Sequence, residues 1–293
     1  MKDVAGKIAF VTGGASGLGL AMARAFSAAG MNVALADIEA GALERAAADL
    51  ESGGGRVLAL PLDVTDRAAM ERAADATEEA FGKVHVVCNN AGVAVGGPVD
   101  RMSYADWDWV LGVNVNGVIN GVQTFTPRMA AHGDGGHFVN TASMAGHIAT
   151  PGLSVYSTSK FAVVGLSEAM RRDLAPQGIG VSVLCPGVVR TNIFDSGRNR
   201  PPHLAAAENT AGAVLLDDVP EAEREAGLQA LLDGALDPAL VGDMVLHAIR
   251  HDELYIFSHP EMREYVERRS QEILGAMDRW AAYRNGHQPE AGS

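Results

Sequence analysis

The chain has 293 residues, 47% apolar and 20% charged, the balance of a globular protein able to bury a sizeable core without disulfides or metals. Lys and Arg number 23 against 36 Asp and Glu, a net charge of −13 that argues against holding nucleic acid or an anionic membrane by bulk electrostatics. Cys88 and Cys185 each end an apolar run and read as small buried hydrophobes. No basic-then-apolar leader follows Met1 and no apolar run reaches spanning length, so a cytoplasmic protein is expected.

Short apolar runs alternate with amphipathic ones. Lys7 to Val11 reads as a buried strand and Gly17 to Ala29 as a helix. Val33 to Ala36 is a second strand, and Ala40 to Leu50 a second helix. Strands follow at Val57 to Leu60, Val84 to Cys88, Gly136 to Thr141 and Val181 to Leu184, with helices near 66–81, 106–131 and 155–175 between them. The strands lack polar alternation, as in a parallel sheet covered on both faces. Strand-helix alternation predicts an α/β fold, a single doubly wound Rossmann-type domain with a core of 7–191 and 238–258. Residues 192–236 carry no strand signal and read as a helical lid. Pro238 to Arg250 is a helix, Leu254 to Phe257 a last strand and Pro260 to Tyr283 a long charged helix, with a loose tail after it.

The first strand runs into Val11-Thr12-Gly13-Gly14-Ala15-Ser16-Gly17-Leu18-Gly19 and then a helix. Glycines there permit a tight turn and let backbone N–H groups approach a pyrophosphate, aided by the helix N-terminus. Gly13, Ser16, Gly17, Leu18 and Gly19 form this candidate turn. Asp37, 18 residues beyond Gly19, ends the second strand with Ile38 beside it. A carboxylate there accepts from the adenosine ribose hydroxyls and repels a 2′-phosphate, so NAD is expected over NADP. Asp63-Val64, after the third strand, fits either an adenine contact or the cap of the helix starting near Asp66. Asn89-Asn90-Ala91-Gly92, after the fourth, suits a turn against which a flat cofactor packs.

Tyr156 and Lys160 stand four apart and share a helix face. An ammonium near the phenol favours the phenolate, which could act as general acid or base near neutral pH. Ser143, 13 residues before Tyr156, follows the fifth strand and would face the crevice at the strand ends, its hydroxyl able to donate to a substrate oxygen. The nine histidines make no metal-ligand cluster, and no metal is expected.

Thr12-Gly13-x-x-x-Gly17-x-Gly19, Asn89-Asn90-Ala91-Gly92, Asn114, Ser143, Tyr156-x-x-x-Lys160 and Pro186-Gly187 occur in this order, and in this respect the chain resembles the short-chain dehydrogenases/reductases. The resemblance is strong over 7–191. It implies Tyr156 as the acid/base, Ser143 orienting the carbonyl or alcohol, and Lys160 holding the nicotinamide ribose and lowering the tyrosine pKa. It implies Asn114 holding a water on the proton path, with Pro186, Gly187, Val189 and Thr191 at the nicotinamide. Asn90, Ala91 and Gly92 would pack against the cofactor. A homotetramer or homodimer is implied, associating through the helices at about 106–131 and 155–175.

The substrate wall is expected from Val93 to Val95, Met144 to Leu153, Val188 and the lid, mostly small and apolar, which suits a bulky, largely neutral aromatic secondary alcohol. His147 reads as a solvent-facing loop histidine or as a contact to a ring hydroxyl. Arg198 and Arg200 read as surface charges or as binders of an acidic group. Asp106-Trp107-Asp108-Trp109, Asn116 to Gly121, Ser196-Gly197-x-Asn199-Arg200-Pro201 and Leu254-Tyr255 are similar to the subgroup that includes Cα-dehydrogenases of lignin β-aryl ether dimers, which oxidise benzylic alcohols with NAD. Rival readings are a hydroxysteroid dehydrogenase, a 3-oxoacyl-thioester reductase and a catalytically silent NAD-binding scaffold.

Overall fold

The computed structural model describes residues 1–205 and 234–287. They form two compact units, Met1–Ser258 and His259–Ser293. The first is built on seven parallel strands: β1 Ile8–Thr12, β2 Asn32–Asp37, β3 Val57–Pro61, β4 Val86–Asn89, β5 Gly136–Thr141, β6 Ile179–Cys185 and β7 Tyr255–Phe257. Their order is β3-β2-β1-β4-β5-β6-β7. The chain reverses direction across the sheet between β1 and β4, the switch point where ligands bind beyond the strand ends. All of β1 and β5 is buried, as in a sheet whose two faces are covered by helices; in β5 the buried residues include the polar His137, Asn140 and Thr141.

The helices are α1 Gly17–Ala28, α2 Ala40–Ser52, α3 Arg67–Phe81, α4 Tyr104–Leu111, α5 Gly117–His132, α6 Ser154–Leu174 and α7 Pro238–His251. The main core joins Val11, Phe26, Leu35, Leu184 and Ile249 from β1, α1, β2, β6 and α7. Each such side chain contributes about 1.5–3 kcal/mol by leaving water. A smaller cluster of Val93, Val95, Trp109, Val110 and Val155 takes in two residues of the expected substrate wall, Val93 and Val95, both buried.

The helix expected over 106–131 is divided. A capping box between Ser103 and Asp106 starts it at Tyr104, and Gly112–Asn116 is a π-helical turn between α4 and α5. The π turn inserts a residue into the hydrogen-bond ladder and holds Asn114 as its buried residue. Of the expected lid, 192–205 and 234–236 are described, as short 3₁₀ turns at Asn192–Asn199 and Pro202–Leu204; the rest, like the last six residues of the tail, lies outside the described residues.

The second unit contains a 3₁₀ turn, Pro260–Met262, and α8 Arg263–Gly286. Among the described residues no helix is long and apolar enough to cross a membrane.

Candidate active site

The glycine turn is shaped by contacts that exclude side chains. Gly13 and Gly17 have φ of +63° and +52°, a region only glycine adopts readily. A Cβ on Gly13 would stand 3.0 Å from the Ala91 backbone, and one on Gly19 would collide with the Gly13 carbonyl. The N-cap Ser16 makes no side-chain bond to α1, and no acid sits in the first helical turn, so the positive end of this helix carries no side-chain cap.

Thr12 ties this turn to the one after β4. Its Oγ1 accepts from the backbone N–H of Asn90 and Ala91 at 2.9 and 3.0 Å, and Asn90 Nδ2 donates to the Thr12 carbonyl at 3.0 Å. Thr12 belongs to the motif, yet its role as a brace follows only from these bonds. Asp37 spans the other side: it accepts from Ala15 N and from Glu39 N, each at 3.0 Å. Ile38 beside it is 52% exposed.

Asp63 accepts from the N–H and hydroxyl of Thr65, while Asp66 caps α3 by accepting from Ala69 N. The capping reading therefore belongs to Asp66, three residues later. Val64 is buried, its carbonyl bonded by Asn120 Nδ2 at 2.8 Å.

Four residues converge at the C-terminal end of β5. Lys160 is buried and donates to the Thr141 carbonyl at 3.0 Å; its ammonium lies 5.4 Å from the centre of the Tyr156 ring. A Cβ on Gly92 would stand 3.4 Å from Asn114 Oδ1 and 3.5 Å from Lys160 Nζ, so Gly92 lies in contact range of both groups. Ser143 hydrogen-bonds the Tyr156 phenol. Its hydroxyl also donates to the Pro186 carbonyl at 3.4 Å, which joins the catalytic turn to 186–191.

Burial pushes the Tyr156 phenol above its ordinary 10, with the Ser143 bond acting in the opposite direction. Burial also lowers Lys160 to about 8. A charged form taken out of water is disfavoured in both, which brings the lysine towards neutrality. Asn114 is a clasp: Oδ1 accepts from Val93 N at 2.8 Å, and Nδ2 donates to the Val93 carbonyl and to Ser159 Oγ at 2.9 and 3.0 Å. Its amide hydrogens are thus both used on the protein, while Oδ1 keeps one lone pair free of these bonds.

Thr191 packs on the glycine turn, its Cγ2 3.1 Å from where a Gly17 Cβ would be. Gly187 N donates to Ser258 Oγ at 3.3 Å, and Val189 is buried and bridged to Leu236. Beyond Thr191 the chain closes on the wall, where Ser196 Oγ accepts from Ala94 N at 3.1 Å. Arg198 and Asn199 bond Glu39 at 2.7 and 2.8 Å.

Arg200 is no surface charge. Its side chain is 8% exposed, pairs with the fully buried Asp106 at 2.6 Å and lies 5.1 Å over the Trp109 ring. Burial opposes ionisation of Asp106, but bonds from Ser103 and Arg200 outweigh it and hold the carboxyl below its ordinary range. Nor is His147 a solvated loop residue: it lies 3.3 Å from Cys185 Sγ and packs on Phe257. Sequence spacing identified neither arrangement, because both join residues far apart in the chain.

Residues 7–201 match the short chain dehydrogenase family. The chain belongs to that family, and it is an oxidoreductase. It is 39% identical to a C alpha-dehydrogenase of Sphingobium sp. strain SYK-6 over 278 residues, 94% of this chain and 88% of that one. A short chain dehydrogenase/reductase of Burkholderia phymatum, solved in complex with NAD, superimposes with a TM-score of 0.86 at 39% identity, covering 93% of this chain and 96% of that one. The apo form of LigO from Sphingobium sp. strain SYK-6 gives a TM-score of 0.78 at 36% identity and covers 100% of both chains.

Proposed function

We propose that this enzyme moves a hydride between NAD and a bulky aromatic secondary alcohol or its ketone, a benzylic alcohol in particular. The observation that carries this reading is the convergence of Ser143, Tyr156 and Lys160 beyond β5 beside the glycine turn, in a chain 39% identical to a C alpha-dehydrogenase. The residues fit a dinucleotide. The positive-φ glycines and uncapped α1 N-terminus suit its pyrophosphate, and the Asp37 carboxylate suits ribose hydroxyls and opposes a 2′-phosphate. Ile38, Val64 and the turn at Asn90 to Gly92 would wall the adenine and ribose. Pro186, Gly187, Val189 and Thr191 would hold the nicotinamide end.

NAD, when bound, supplies the acceptor for the hydride of the carbinol carbon. Ser143 donates to the substrate oxygen and holds it against Tyr156. The Tyr156 oxygen takes the alcohol proton in oxidation and returns it in reduction. Lys160 places positive charge beside that oxygen as the phenolate forms. The clasp of Asn114 on Val93 holds the apolar wall at its distance from the reacting oxygen. Positioning and charge are the protein's contribution.

The same proposal places the enzyme in the cytoplasm, in keeping with two buried, unbridged cysteines, and makes it a homodimer or homotetramer built on the α5 and α6 faces. A turnover assay with NAD and benzylic, steroidal and acyl-thioester alcohols tests the substrate class, with the benzylic alcohols turning over fastest. Tyr156→Phe should lower kcat by about 10²–10⁴-fold or more while NAD affinity, read by calorimetry, stays within about twofold. Wild-type turnover in that variant removes the assignment.

A further inference from the structure

α8 is a 24-residue helix in which no residue is buried. It lies beyond residue 201, outside the span that matches the family. Val266, Ile273 and Trp280 recur every seven residues, and Ala276 and Tyr283 fall on the same face, with Met262 just before the helix and Arg269 as the one charged residue of that face; Tyr265, Leu274 and Met277 lie beside it. That face carries the first and fourth positions of a heptad, the seam of a helix pair. Ile273 is 40% exposed, Trp280 69% and Tyr283 58%. An exposed apolar stripe of this kind marks a contact surface.

We propose that α8 pairs antiparallel with α8 of a second copy of this chain. Charge decides both the partner and the direction. With Ile273 facing Ala276 of the second copy, Val266 faces its Tyr283 and Trp280 faces its Arg269, where a guanidinium can stack on the indole. Glu272 and Arg279 flank the seam on one side, and in this register each Glu272 falls opposite Arg279 of the second copy. The two-fold axis makes this pair twice. A parallel pair instead sets Arg279 against Arg284 of the second copy, also twice, and gains no opposite-charge pair. The antiparallel register brings Arg263 near Arg284 of the second copy at the helix ends, but Arg263 is already held by Glu267 at 2.5 Å.

The test is sedimentation equilibrium of the full chain over a dilution series. The wild type shows a dimerisation step, whatever further association its other faces support. Trp280→Glu raises the dissociation constant of that step about a hundredfold, as loss of a central aromatic anchor does. Glu272→Arg and Arg279→Glu each raise it about tenfold, by placing like charges opposite one another. The double variant Glu272→Arg/Arg279→Glu restores the pairs and returns to within about threefold of wild type. An unchanged dissociation constant in Trp280→Glu overturns the pairing, as does the absence of any such step in the wild type. A double variant no tighter than the single ones overturns the antiparallel register.

Discussion

The two ends of β5 carry similar chemistry put to different ends. At the C-terminal end stand Thr141, Lys160, Ser143 and Tyr156. At the N-terminal end His137, fully buried, lies 2.8 Å from Ser182 Oγ by its Nε2, with Asp252 and Arg171 beyond. Burial depresses the pKa of a base at each end, Lys160 to about 8 and His137 to about 4. A perturbed pKa therefore does not distinguish a site from a core. Surroundings do. Ser182 spends its one hydrogen on the Glu253 carbonyl at 2.6 Å, so His137 must donate from Nε2, and its Nδ1 has no hydrogen-bond partner among the described residues. That proton is locked in a satisfied bond. Around Lys160, a phenol with a second hydroxyl bonded to it stands at the strand ends of the crevice.

Replacing Lys160 by Met separates the two roles most sharply. Below pH 8 this lysine is charged both folded and unfolded, and the fold disfavours the charge by the interval between 10.5 and about 8, roughly 3 kcal/mol. The penalty is relieved only as pH rises from 8 to 10.5. Its bond to the Thr141 carbonyl returns about 1 kcal/mol. Lys160→Met should thus raise the unfolding free energy at pH 7 by about 2 kcal/mol while kcat falls by about 10²–10⁴-fold. Urea denaturation and steady-state kinetics measure the two. A less stable, inactive variant would show that Lys160 supports the fold rather than straining it.

The same contrast explains what could be seen in the chain beforehand. The strands of the sheet announced themselves because both faces are covered, which leaves unbroken apolar runs such as Ile8–Thr12. The glycine turn and Tyr156-x-x-x-Lys160 are local in sequence and legible for that reason. Arg200 was not. Its partner Asp106 lies 94 residues away, and a charged residue between Asn199 and Pro201 carries no local mark of burial. His147 was hidden likewise by contacts with β6 and β7. The π turn at Asn114 left only a polar residue in an apolar helix as its trace.

Arg200→Met should be the next largest effect. It leaves the Asp106 carboxylate buried with only Ser103 to bond it, at a cost of about 3 kcal/mol. It also loosens the strap that carries Ser196 against the wall, so KM for the alcohol should rise about tenfold with NAD affinity unchanged. Arg198→Met, whose pair with Glu39 is about one third exposed on each side, should cost less than about 1 kcal/mol. Equal losses in the two variants would mean that burial does not set the difference.

His137→Gln tests the quiet end of β5. The folded pKa of about 4 lies below the ordinary 6.5, so the unfolded chain binds the extra proton first. Stability is full above pH 6.5 and falls as pH drops from 6.5 towards 4. His85, also lowered to about 4 by burial, adds a second loss of the same sign. Between pH 7 and 5 each histidine should remove about 2 kcal/mol. The glutamine amide can still donate to Ser182 but takes no proton, so the acid-induced loss in His137→Gln should shrink by about 2 kcal/mol. Turnover at pH 7 should stay within about twofold, because this end of the strand touches no reacting atom. An undiminished pH slope would mean that His137 is protonated in the folded protein, with Asp252 Oδ1, 3.9 Å from Nδ1, as the charge that holds the proton.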